Sequence, residues 1–191
     1  MSVSTSRSAA KASRRAALLA AAACLFAERG YAGTSIEDLG AQAGVSGPAL
    51  YKHFAGKQAI LAAILLDASS GLYSGGLEVV SGARGSDAVE SLVAFHVAFA
   101  LDNADVIRVQ DRDLDQLAEG DLHVVRMLQR RYVELWVDVL AELHPDTDPA
   151  VLRTRAHAVF GLLNSTPHSG LSVDRATLRA ELERMALSAL A

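Results

Sequence analysis

A single cysteine, Cys24, excludes an intramolecular disulfide and fits a reducing, cytoplasmic compartment. Only four prolines interrupt the 191 residues, and runs of β-branched residues are scarce. No alternating apolar and polar stretch ends in a turn signal, so strands lack their usual signature. Hydrophobic residues make up 51% of the chain, much of that alanine, a strong helix former. An all-α protein is what remains.

Catalytic and metal-binding patterns are also missing. Asp111-Arg112-Asp113-Leu114-Asp115 begins like a calcium loop. Gln116 stands where the loop needs glycine, and Leu122 where it needs a carboxylate. His123, His144, His157 and His168 have no cysteine or histidine at zinc spacing. No Ser-His-Asp arrangement, glycine-rich phosphate loop or paired acid cluster occurs. No catalytic residue, metal or cofactor is assigned, and an enzyme is disfavoured. An export signal is a weak rival. Arg14-Arg15 precede an apolar run from Ala16, and Ala21-Ala22-Ala23-Cys24 has the outline of a lipoprotein cleavage site. The run stops at Ala27, too short to span a bilayer as a helix. No membrane association is expected.

The formal net charge is −4, unevenly spread. Residues 1–57 carry seven lysines and arginines against three acids; residues 58–191 carry eleven against nineteen. A basic head on an acidic body suits a head that meets phosphates.

Residues 1–10 are rich in serine and alanine and read as a disordered tail. Leu18, Ala22, Leu25 and Phe26 share one helical face, predicting a helix over about 11–29 that Gly30 ends. Ser35 opens a second helix over about 36–43, with Asp38 as its capping-box partner. Gly44 stops it, and Ser46 caps a third helix with Pro48 in its first turn. Leu39, Ala43, Val45 and Leu50 fall where these two short helices pack together, the layout of a helix-turn-helix. A helix from Lys57 to about Leu72, or as far as Val80, follows, with Gly71–Gly85 read as its fraying end and a loop. Further helices are expected over about 86–101, 111–118, 122–143, 149–165 and 174–190. The division is a DNA-binding domain over 11–57 and a larger domain over 58–191.

The spacing of Phe26, Gly30, Thr34, Ser35, Leu39, Ala43-Gly44-Val45-Ser46, Leu50-Tyr51, His53-Phe54 and Lys57 resembles the signature of the tetracycline-repressor (TetR) family. The resemblance covers about 14–72. It implies a three-helix N-terminal helix-turn-helix domain and a larger C-terminal helical ligand and dimerisation domain. It also implies a ligand-responsive repressor that binds a palindromic double-stranded operator as a homodimer.

The implied DNA-facing residues are Ser35, Ser46, Gly47, Pro48, Ala49, Tyr51, Lys52, His53 and Lys57. Gly47 would let the backbone approach DNA; some family members carry a base-reading side chain there, which Gly47 lacks. Pro48 and Ala49 suit a thymine methyl. Tyr51 gives its hydroxyl to a phosphate or packs in the small core. Lys52 reaches a base or phosphate, or is an ordinary solvated lysine. His53 bonds a phosphate or a structural partner. Ser35 and Lys57 would hold phosphates at two helix starts, and Arg14 or Arg15 would reach the DNA backbone from the first helix.

In the larger domain, Phe95, His96, Phe99, Tyr132 and Trp136 are candidate pocket residues for an apolar or acyl-CoA-like effector; a plain helical core would look the same. Arg108, Arg112, Arg126, Arg130 and Arg131 face an acidic ligand, or form a solvated face paired with Asp111, Asp113, Asp115 and Glu134. One apolar face carries Val151, Leu152, Ala156, Val159, Phe160 and Leu163; another carries Leu178, Leu182, Met185 and Leu190. Similar family members pair these last two helices with their copies; burial inside one protomer is the other reading. The rival function is a helical small-molecule-binding protein without DNA binding.

Overall fold

The same local signals that punctuate the sequence bound the first helices of the computed structural model, which describes residues 3–169 and 173–191. Helix α1 (Val3–Arg29) ends at Gly30, whose φ of 80° is the left-handed conformation glycine adopts without strain. Helix α2 (Ile36–Gln42) starts with the expected capping box: Ser35 Oγ accepts from the Asp38 amide, and the Asp38 carboxylate accepts from the Ser35 amide. Gly44, at φ 67°, turns the chain into α3 (Gly47–Tyr51). Then come α4 (Lys57–Val80), α5 (Gly85–Asp102), α6 (Ala104–Asp113), a 3-10 turn (Leu114–Gln116), α7 (Glu119–Leu143), α8 (Pro149–Leu163), α9 (Thr166–Ser169) and α10 (Arg175–Leu190). Asp148 and Asp174 cap α8 and α10 through bonds to following amides. No strand occurs among the described residues.

The structure departs from the sequence-based expectation in several elements, the unexpected short α9 among them, and settles the end of α4. Residues 3–10, read as a disordered tail, continue α1; they contain no glycine or proline to stop a helix. Residues 1 and 2 of that tail lie outside the described residues. Helix α4 takes the longer of its two expected ends, running through Gly71, Gly75 and Gly76 to Val80, so the stretch read as fraying is helical as far as Val80. The glycines serve packing: a Cβ on Gly75 would lie 2.4 Å from the Phe95 ring, and one on Gly76 2.7 Å from the Tyr132 ring. Helix α6 begins at Ala104, not near Asp111: Val109 is buried in the first core cluster with Val106 packed against it, and Ile107 is buried on another side of this short charged helix.

Two clusters of buried side chains organise the chain. The first holds Leu18, Leu25 and Phe26 of α1, Leu39 of α2, Leu50 of α3, and Ile60, Leu61 and Leu65 of α4; Val109, Leu117 and Val125 join it from beyond the helix-turn-helix. The apolar run of α1 is therefore core. The second gathers Leu92 and Val97 of α5, Trp136 and Leu140 of α7, Leu152, Val159 and Leu163 of α8, and Leu182 of α10. Each such side chain contributes roughly 1.5–3 kcal/mol on full burial. Helix α4 packs against α1 in the head and against α5 and α7 in the body, so it physically joins the two.

Candidate nucleic-acid interface and ligand cavity

Leu50 and Phe54 fix the rotation of the third helix. Both are buried, at 0% and 7% exposure, so the opposite side of this segment turns outward. Ser46, Pro48, Tyr51, Lys52 and His53 are all exposed. Tyr51 is 56% exposed, so its ring lies on the surface, outside the small core. Gly47 and Ala49 lie in α3 among them. His53 also borders a cleft with Arg14, Leu18, Gln42 and Val45 between α1 and the helix-turn-helix.

The other candidate phosphate ligands have protein partners. Ser35 Oγ, besides capping α2, donates to Asp38 Oδ2 at 2.6 Å; these bonds hold the Asp38 carboxyl below the usual carboxylate range. Lys57 Nζ donates to the carbonyls of Tyr31 and Thr34, each at 2.8 Å, and lies 4.3 Å from the centre of the Tyr31 ring. Its ammonium therefore clamps the α1–α2 turn to the start of α4. Arg15 pairs with Asp67 at 2.6 Å and lies over the Phe54 ring.

In the body, α4, α5, α6, the 3-10 turn, α7 and α8 line a half-open cavity of about 460 Å³. Of the five candidate pocket residues, His96 and Tyr132 line it. Trp136 is buried behind them, edge-on to the rings of His96 and Phe160. Phe95 packs on Gly75 of α4, and Phe99 borders a separate groove between α1 and α4. Ser69, Leu72, Gln129, His157, Phe160 and Asn164 complete much of the lining and were not singled out as pocket residues from sequence. The signal was there in part: His157, Phe160 and Asn164 stand at i, i+3 and i+7 on α8 and its cap, one face of a helix. Phe160, on a face read either as a dimer contact or as buried inside the protomer, stacks on Tyr132 with centroids 5.5 Å apart.

His96 is the polar centre of this cavity. Its Nε2 lies 3.1 Å from Asn164 Oδ1 and its Nδ1 3.2 Å from the Tyr132 hydroxyl. Asn164 Oδ1 can only accept, so Nε2 carries the proton and Nδ1 accepts from Tyr132. Burial lowers the His96 pKa to about 4 and raises that of Tyr132, so both are neutral at pH 7.

The five arginines divide. Arg126 pairs with Asp115 at 3.2 Å and lines the cavity; with Arg130, Arg153 and His157 it also lines an adjoining groove between α7 and α8. Arg153 grips Glu134 through two bonds of 2.8 and 2.9 Å. Arg108 donates to the Pro167 carbonyl at 2.6 Å, and Arg131 lies 6.0 Å from the centre of the Tyr73 ring. Arg112 lines the cavity and also donates to the carbonyls of Phe26 and Ala27 at the end of α1, and to Asp113. Asp113 in turn accepts the Tyr31 amide at 3.3 Å. Arg112 thus touches the cavity and the head at once.

Comparison with known proteins places this arrangement. The family model described as "Bacterial regulatory proteins, tetR family" matches residues 18–64. The HTH-type transcriptional repressor KstR2 of Mycolicibacterium smegmatis is 31% identical over 149 residues, covering 72% of this chain and 71% of that protein. The TetR-family regulator PfmR of Thermus thermophilus superposes with a TM-score of 0.77 at 24% identity, over 90% of this chain and 97% of that one. AibR, solved in complex with isovaleryl coenzyme A and operator DNA, superposes at 0.75 and 18% identity, over 92% and 96%. At these identities the two structures speak for the fold, and the KstR2 match carries the kinship. The chain is a DNA-binding transcription regulator, not an enzyme, and it belongs to the TetR family.

Proposed function

We propose that this chain is a ligand-responsive repressor that binds a palindromic operator as a homodimer in the cytoplasm. The observation that carries the reading is Arg112, whose one guanidinium lines the cavity and holds the end of α1. A ligand that draws this group toward the cavity loosens its hold on α1 and shifts the head. Coupling of this kind is reciprocal, so DNA weakens ligand binding by the same factor. The DNA-binding domain is assigned to 11–57 and the ligand and dimerisation domain to 58–191. On DNA, Tyr51 and His53 bond phosphates, Lys52 reaches base edges, and Pro48 and Ala49 meet thymine methyls. Ser35 and Lys57 act chiefly by shaping the helix starts that face the backbone. The effector is apolar with an anionic end, as an acyl-CoA is. Supporting this are the arginine-lined groove beside the cavity and the fold shared with AibR, which was solved with isovaleryl coenzyme A.

The test is a mobility-shift titration against the DNA upstream of the protein's own gene, at several salt concentrations, with and without acyl-CoA esters of graded length. Expected are preference over random duplex, affinity that falls steeply with salt, and release by at least one ester. In Arg112→Met, which removes the hold on α1 altogether, operator affinity should already be low without ester and should no longer respond to it. Affinity indifferent to every ester, or undiminished release in Arg112→Met, would sink this mechanism.

A further inference from the structure

Ser69 is a buried hydroxyl without a partner. It sits on α4, is 3% exposed, and its Oγ makes no hydrogen bond to any described residue. It also lines the cavity. The polar groups around it are already engaged. Both ring nitrogens of His96 are bonded, the Tyr132 proton goes to Nδ1, and Asn164 Oδ1 accepts from Nε2. The leftover donors nearest it on the lining include the Ser69 hydroxyl and the Asn164 amide N–H groups; the Trp136 indole N–H, buried behind the lining, also lacks a partner. Leftover donors call for an acceptor. His96 is neutral, and the carboxylates and guanidiniums of the lining, Asp111, Arg112, Asp115 and Arg126, all belong to exposed residues, so no charge stands at the buried end. Leu72, Val133 and Phe160 supply apolar wall. We propose that the buried end of this cavity is a receptor for an uncharged carbonyl oxygen carried on an apolar body, with Ser69 as the specificity-determining donor. This rests on the reading of the cavity as the effector site. It also places the ligand's bond on α4, the helix that starts at Lys57 in the head.

Trp136 is the chain's one tryptophan and packs edge-on against His96, Tyr132 and Phe160, so its fluorescence reports the cavity. The full-length protein, without DNA, is titrated with cyclooctanone and with methylenecyclooctane, which has CH2 in place of the oxygen. The ketone should bind about fivefold tighter or better, the worth of one net hydrogen bond. Ser69→Ala should erase that preference while keeping the hydrocarbon's affinity. Without ligand, Ser69→Ala should also melt higher by about 2–4 °C, because an unpaired buried hydroxyl is gone. Equal binding of the two probes, a preference that survives Ser69→Ala, no saturable response to the ketone, or a lower melting temperature in the variant each overturns the proposal. Because DNA is absent, the outcome is separable from operator release: a DNA-bound form deaf to every ester would sink the regulatory reading and leave this one standing.

Discussion

Two lysines five residues apart show how position decides a side chain's work. Lys52 is exposed beside α3, while Lys57 is half-buried and bonded to the carbonyls of Tyr31 and Thr34. Lys57→Met should cost about 1–3 kcal/mol, since it strands two partly buried acceptors; denaturant unfolding measures this. Lys52→Met should stay within about 0.5 kcal/mol of wild type yet weaken operator binding and change preference among operators. Equal stability losses in the two would contradict the clamp. His96 makes a pH prediction of definite sign. Its folded pKa is lowered from 6.5 to about 4, so below 6.5 the unfolded chain binds a proton that the folded chain refuses. The contribution is whole above 6.5 and is lost as pH falls toward 4, at up to about 1.4 kcal/mol per pH unit. His96→Gln should flatten the slope of unfolding free energy against pH in that window; an unchanged slope would mean the ring is already protonated or solvated. Sequence picked out His96 and Tyr132 as large ring-bearing residues on predicted helices. It had no means of picking out Ser69, because nothing in the adjacent Ser69-Ser70 pair marks which hydroxyl turns inward, nor the clamps of Lys57 and Arg112, whose partners are backbone carbonyls far away in the chain.

At the scale of elements, legibility followed the range of the forces. Helices α2 and α3 were readable because their boundaries are set locally, by Ser35, Asp38 and Gly44. The far half of α4 was ambiguous because its glycines answer to distant rings, and α6 was misplaced because Val106, Ile107 and Val109 are too few apolar residues to outweigh its charges. The glycines of α4 can be told apart experimentally. A Cβ at Gly76 would meet Tyr132 at 2.7 Å and Leu135 at 3.0 Å, whereas one at Gly71 meets nothing within 4 Å. Tyr132 is buried and bonded to His96, so it yields poorly. Gly76→Ala should therefore destabilise by about 1–3 kcal/mol through overpacking, and Gly71→Ala should stabilise by up to about 1 kcal/mol through helix propensity. Thermal melts of the two variants check it: the signs must oppose, and a stabilised Gly76→Ala would show that α4 and α7 do not pack as closely as described.

For the whole molecule, the proposed homodimer turns on how two heads would be held at operator spacing. The large apolar residues of the last two long helices answer mostly to the protomer itself: Leu152, Ala156, Val159, Leu163, Leu182 and Leu190 are all buried within it. The exposed residues of these helices include Val151 and Met185, at 47% and 37% exposure, and the small Ala158, Gly161, Ala180 and Ala189, among polar ones such as Thr154, His157 and Arg184. Small residues let helices approach closely, and a few larger apolar groups give the contact its energy, so this strip of α8 and α10 suits a two-fold pairing with its own copy. Gly161 offers a clean probe, because a Cβ there meets nothing within 4 Å in the protomer. Gly161→Arg should keep the helical circular dichroism of wild type while sedimentation shifts from dimer to monomer. Operator affinity should then fall by orders of magnitude, since a single head grips one half-site and the second contact is no longer intramolecular. Affinity for a lone half-site should be unchanged, because the surface from Ser46 to His53 is untouched. A variant that stays dimeric at micromolar concentration would place the interface elsewhere, and one that turns monomeric but still binds the full operator undiminished would show that head spacing is not set by these helices.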